Sequence, residues 1–134
     1  MRWAAASLAI AAVLAGCGLN VQSPDVLLVT RTGQGRTLTV VVNDGGTIRC
    51  NGARARRISD PLLLQARDLA TALGADAKAG LRIRASANSV FRYKFSLPDG
   101  TVSFPDTAAG RHHELAQAEL FTVRAAEQGC GISG

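Results

Sequence analysis

Past its first sixteen residues the chain has no second long apolar run, no acidic tail and no internal repeat. These absences remove a downstream membrane-spanning helix and a repeat array from consideration. Lysine is nearly missing: Lys78 and Lys94 are the only lysines among 15 basic residues. The arginine excess is compatible with composition alone, so the net charge of +5 speaks to association and not to mechanism. Cysteine is sparse, at three residues, and no CxxC or CxxH spacing offers a zinc ligand set. No GxSxG elbow, GK[ST] loop, HxxxH or HExxH occurs. A nucleophile elbow, a phosphate loop and a helical metal motif are thereby excluded.

What is present begins with MRWAAASLAIAAVLAGC. A positive charge at Arg2 precedes an apolar stretch from Trp3 to Leu14, then small residues, then Cys17. This is a secretory signal layout, and the apolar stretch falls short of the ~20 residues a spanning helix needs. Leu14-Ala15-Gly16-Cys17 resembles the lipobox of bacterial lipoproteins. The resemblance implies cleavage before Cys17 and lipidation of that cysteine. It assigns residues 1–16 to a lipoprotein signal peptide and places the protein at the cell membrane, lipid-anchored on the extracytoplasmic face. Residues 17–24 (CGLNVQSP) read as a short tether, about eight residues averaging ~15 Å end to end. Residues 25–134 are of a size for a single domain.

Two cysteines remain after Cys17. In a chain exported to an oxidising compartment, a disulfide between Cys50 and Cys130 is the natural reading; two free buried thiols are the alternative.

Asp25 to Thr32 is aliphatic and β-branched and reads as a strand. Arg36 to Asn43 alternates, with Leu38, Val40 and Val42 on one face. Asn43-Asp44-Gly45-Gly46 predicts a hairpin turn, and Thr47 to Cys50 a returning strand. Asn51 to Ser59 (NGARARRIS) reads as an exposed basic loop. Asp60-Pro61 then opens a helix, with Asp60 as N-cap. Leu62, Ala66, Leu69 and Leu73 form its apolar face, Gly74 weakens its last turn and Gly80 ends it. A brief extended piece is expected at Leu81 to Arg84. Val90 to Leu97 reads as a strand with Phe91, Tyr93, Phe95 and Leu97 on one side and Arg92, Lys94 and Ser96 on the other. Pro98-Asp99-Gly100 turns into Thr101 to Phe104. A last helix spans His112 to Gln128, with Ala116, Leu120, Val123 and Ala126 as its inner face. The expected fold is α+β: a mostly antiparallel five-stranded sheet in the order β-β-β-α-β-β-α, both helices on one face, the other face wet.

Candidate chemistry is thin. His112-His113-Glu114 is the only local cluster of catalytic-type side chains, and adjacent helical residues point about 100° apart, unsuited to chelating one ion. TRTGQGRT (Thr30 to Thr37) is followed by a strand where a phosphate loop requires a helix. Asp99 and Asp106 sit at turns, and the aromatics at strand period read as core. The densest charge is Arg49 with Arg54, Arg56 and Arg57. Guanidinium groups bind phosphate and carboxylate in bidentate forks, so these four are candidates for contact with an anionic partner. The residues suggest no catalytic site, metal site or cofactor, and no small-molecule substrate is evident. An exported location argues against nucleic acid.

VTRTG (Val29 to Gly33), the hairpin before Cys50, SDPLLLQARDLA (Ser59 to Ala70), DGTVSFPDT (Asp99 to Thr107) and the helix ending at Cys130 together resemble a family of small actinobacterial lipoproteins of unassigned function. That resemblance implies an anchored α+β domain with a Cys50–Cys130 bridge and no particular activity. VTRTG followed by an alternating strand, a helix and FRYKFSLPDGTVSFPD (Phe91 to Asp106) is also similar to emfourin-type inhibitors of thermolysin-like metalloproteases. Those inhibitors usually carry a glycine pair where this chain has Gly33 alone. The expectation is a non-enzymatic, lipid-anchored lipoprotein that binds an exported, protease-like protein or acts as an inhibitor-like domain. The alternative is an envelope protein meeting anionic lipid or cell-wall polymer through its basic loop.

Overall fold

The computed structural model describes residues 22–133; the expected signal peptide, Cys17 and most of the tether lie outside them. The order is β1 (Asp25–Gly33), β2 (Arg36–Asn43), β3 (Thr47–Cys50), β4 (Arg56–Arg57), α1 (Asp60–Ala72), α2 (Gly74–Ala79), β5 (Arg92–Leu97), β6 (Gly100–Pro105), a 3₁₀ turn (Asp106–Gly110), α3 (His113–Arg124) and a π-helical turn (Ala125–Gly129). All six strands join one antiparallel sheet in the order β4-β3-β2-β1-β5-β6.

The α+β class stands, and the strand count does not: the sheet has six strands against the expected five. The extra strand lies inside the expected basic loop, where Arg56 and Arg57 pair with Ile48 and Thr47. Two residues held by edge pairing need no apolar alternation, so they left no strand signal. The extended piece near Arg82 forms a parallel bridge to Ser103, with Ile83 N–H donating to Ser103 O at 2.9 Å. It covers part of the β6 edge, which would otherwise present unpaired groups.

The inner face is the core. Leu27, Val29, Leu38, Val40, Val42, Ile48, Phe95, Val102 and Phe104 are buried in one cluster with Leu62, Leu69 and Leu73 from α1 and its end, and Leu115 and Phe121 from α3. Phe104 stacks between Tyr93, at 5.3 Å, and Phe95, at 6.0 Å. Alternate residues on the same strands remain half-buried or exposed, the pattern of a sheet covered on one side.

Three boundaries differ from expectation. Ser59, not Asp60, caps α1: its Oγ accepts from the Leu62 N–H at 3.4 Å. The helix breaks at Leu73, and α2 is a separate element. The fifth strand starts at Arg92 rather than Val90, because the Asp106 carboxylate takes the Val90 and Phe91 N–H groups at 3.1 and 3.2 Å.

The last helix and the turn after it bury Ala126 as expected but otherwise turn a shifted face inward. Leu115, Ala118, Phe121 and Thr122 are buried in α3, and Ala125 and Ala126 beyond it. Leu120, expected inside, is 49% exposed. Two apolar stripes lie side by side on this helix, and the buried one includes Thr122, whose hydroxyl donates to Ala118 O at 2.9 Å. A satisfied hydroxyl enters the core without penalty, so polarity misled the phase.

Candidate functional site

Cys50, at the end of β3, and Cys130, just past the π-helical turn, form a disulfide with Cα atoms 5.9 Å apart. The bridge ties the sheet's β3–β4 flank to the C-terminal helix and shapes the adjoining basic segment. Asn51 and Gly52 follow with positive φ. Asn51 Oδ1 accepts from Thr39 N–H at 2.9 Å, and Asn51 N–H donates to Thr39 O at 2.8 Å. This latch holds the start of the loop against β2.

Strand register distributes the candidate arginines over two faces. Arg49 pairs with Val41 and Arg57 with Thr47, and both partners stand between buried neighbours in the chain, so these two arginines share the sheet's open face. Arg56 pairs with Ile48, an inward position, and its guanidinium lies on the C-terminal side, near Gly131. Arg54 stays in the exposed connection before β4.

His112 and His113 are exposed at the start of α3. His112 Nδ1 is 3.8 Å from Glu114 Oε1, and His113 Nε2 lies 3.1 Å from Gln117 Nε2. Among the described residues no three His, Cys, Asp or Glu side chains come together as a metal site.

Sequence reasoning passed over an acidic group at the far end of the sheet. Glu119 of α3 has one carboxylate oxygen, Oε1, buried without a hydrogen-bond partner. Burial first, and then the nearby Asp106 charge, push its pKa up from 4.5 to about 7. Burial also raises the Tyr93 phenol, with Glu119 adding to the rise and Arg31 opposing it. The Arg31 guanidinium sits 4.9 Å from the Phe91 ring centre, a cation–π distance. Nothing in the one-dimensional pattern pairs Glu119 with Asp106, because the 3₁₀ turn that brings them near is not periodic.

Two grooves border the helices. One, of about 240 Å³, runs between α1 and α3 and is lined by Asp68, Leu69, Gln117, Leu120, Phe121 and Arg124 among others. The other, larger and more open at about 650 Å³, lies beside Pro24, where β1 begins, and includes Asp44, Arg67, Gly74, Lys78 and Asp99. Arg67 Nε donates to Asp44 Oδ1 at 2.7 Å there, joining α1 to the β2–β3 turn. In comparisons with known proteins, no family, no curated protein and no solved structure matches this chain.

Proposed function

We propose that the chain is a lipid-anchored, extracytoplasmic binding domain with no catalysis of its own, and that it takes an exported protein as partner. The anchor rests on Leu14-Ala15-Gly16-Cys17. The observation that carries the binding reading is Leu120, a large apolar side chain left 49% exposed at the α1–α3 groove. Leu69 and Phe121 supply apolar walls there, and Asp68 and Arg124 bring opposite charges. An apolar anchor with a polar rim is the usual plan of a protein contact. An inhibitor of an exported protease is the narrower form of this reading.

Crosslinking in intact cells with the full chain and with Leu120→Asp tests it. An exported protein joined to the parent chain and lost in the variant, with thermal stability unchanged, supports the reading. An identical crosslinking profile for both chains rejects it. If the captured protein is a protease, inhibition by the purified chain and relief by Leu120→Asp decide the narrower form. Cys17→Ala tests the anchor separately: the variant should leave the membrane fraction or remain uncut.

A further inference from the structure

Strand register sorts the outward side chains of the sheet into rows. Arg49 faces Val41, which faces Leu28, which faces Ser96. Lys94 lies between Thr30 and Ser103, and Arg92 between Thr32 and Pro105. Arg82 bridges to Ser103, and Arg57 pairs with Thr47 at the opposite edge. Arg49, Arg57, Arg82 and Lys94 are exposed and Arg92 is half-buried.

Carboxylates are nearly missing from this face. Asp25 stands at its margin, accepting from Asn43 Nδ2 at 3.1 Å. The others belong to the helix side or the strand ends. Asp44 holds Arg67 of α1, Asp99 abuts Gly74 of α2, and Asp106 holds the Val90 and Phe91 amides. Asp60, Asp68 and Asp76 lie on α1 and α2, and Glu114, Glu119 and Glu127 on α3 and the turn after it. Hydroxyls of Thr30, Thr39, Thr47, Ser96, Thr101 and Ser103 lie between the cations, and no aromatic residue occupies these outward positions.

We propose that this face docks on an anionic phospholipid bilayer, so that the anchored domain lies sheet-down on its own membrane. The inference rests on the reading of Cys17 as the anchor. Five cations with only Asp25 at the margin on one face, against a helix side where the acids are interleaved with Arg67, Lys78 and Arg124, give the domain a polarity that an anionic surface would orient. Six strands at about 4.8 Å span roughly 25–30 Å across the sheet, and at about 3.3 Å per residue its length runs from roughly 30 Å at β1 to under ~10 Å at β4; long arginine and lysine stems reach across its twist. Without outward aromatics, contact would be at the headgroups and not by insertion. The described chain reaches β1 through Pro24, beside the first row, and an anchor only about eight residues away along the sequence would keep the face within reach of the membrane. A protein partner would want a central aromatic or arginine anchor in a pocket; here the centre is Leu28, Val41 and Thr30, all half-buried among their neighbours.

The two lysines provide the test, since Lys94 is on the open face and Lys78 on α2. The full lipoprotein is reconstituted in vesicles of phosphatidylglycerol with phosphatidylcholine, or of phosphatidylcholine alone. It is labelled with a membrane-impermeant amine reagent, and each lysine is followed by mass spectrometry. Expected is labelling of Lys94 slowed about fivefold or more in the anionic vesicles, restored by high salt, with Lys78 unchanged. The double variant Arg49→Glu with Arg92→Glu should abolish the slowing. Equal Lys94 labelling in both vesicle types overturns the proposal, as does protection of Lys78 alone, which would stand the domain on its tether end. The intact mass of the same preparation reads acylation of Cys17, so a failed anchor is distinguished from a failed docking face.

Discussion

Gly129 meets Ile48 so closely that a Cβ on the glycine would lie 2.6 Å from the isoleucine Cδ1 and 3.3 Å from its Cγ2. The contact brings the π-helical turn onto β3 one residue before Cys130, within reach of Cys50. Ile48 is only 1% exposed, so its side chain has little room to swing away. Gly129→Ala sets a helix-propensity gain of up to about 1 kcal/mol against overpacking of about 1–3 kcal/mol. A net loss of roughly 1–2 kcal/mol is expected in chemical denaturation. Ile48→Val, which removes Cδ1, should return part of that loss in the double variant. A Gly129→Ala protein as stable as the parent would show the contact to be soft.

The Cys50–Cys130 bridge closes a sequence separation of 80 residues. Chain-entropy arguments value such a loop at about 4–5 kcal/mol, a large share of the ~5–15 kcal/mol by which a domain is stable. Cys50→Ser, Cys130→Ser and the double variant should each lower the denaturation midpoint, by similar amounts. The reduced parent should match them. An unchanged midpoint on reduction would mean that the bridge does not constrain the unfolded chain.

Gly100 was legible as part of a Pro-Asp-Gly turn, and the structure adds a second reason for it. Its φ is +146°, and a Cβ there would run into the Ala77 carbonyl of α2. Gly100→Ala therefore strains the backbone and pushes α2 from the β5–β6 turn, with an expected loss of about 2–4 kcal/mol. The backbone carbonyl cannot rotate aside as a side chain would. A loss below about 1 kcal/mol, within the range of ordinary surface changes, would show that α2 shifts freely and is not seated on the turn.

Local signals read well and relational ones did not. The bounds Arg36–Asn43 and Thr47–Cys50 follow from alternation ending in Asn-Asp-Gly-Gly, and the α1 face Leu62, Ala66, Leu69 follows from helical spacing. The outward side of Arg92, Lys94 and Ser96 was equally plain. That Lys94 shares its face with Arg49 was not, because it depends on β1 lying between β2 and β5. Nor does the run Arg54, Arg56, Arg57 show that edge pairing sends Arg56 and Arg57 to opposite faces. On α3, Leu120 and Phe121 are neighbours in sequence, and only packing decides which of two apolar stripes is buried. Both border the α1–α3 groove, and the residue that lost that competition is the one left exposed there.

Glu119 makes stability depend on pH with a predictable sign. Its carboxyl has a pKa near 4.5 in an ordinary setting and about 7 in the fold. The folded chain thus holds a proton that the unfolded chain releases earlier. The contribution is fully present below 4.5, falls as pH rises through about 7, and is flat above. Because the side chain is only partly buried, solvent screening limits the effect to roughly 1 kcal/mol. Glu119→Gln keeps the shape, removes the titration and offers an amide to the unpartnered position. Denaturation midpoints of the variant should therefore decline less between about pH 4 and about pH 8, and the variant should be the more stable protein at the upper end. The Tyr93 phenol, raised partly by Glu119, should ionise at lower pH in the variant, followed by ultraviolet difference titration. Parallel pH profiles for parent and variant would assign the dependence to another group and leave Glu119 an ordinary surface carboxylate.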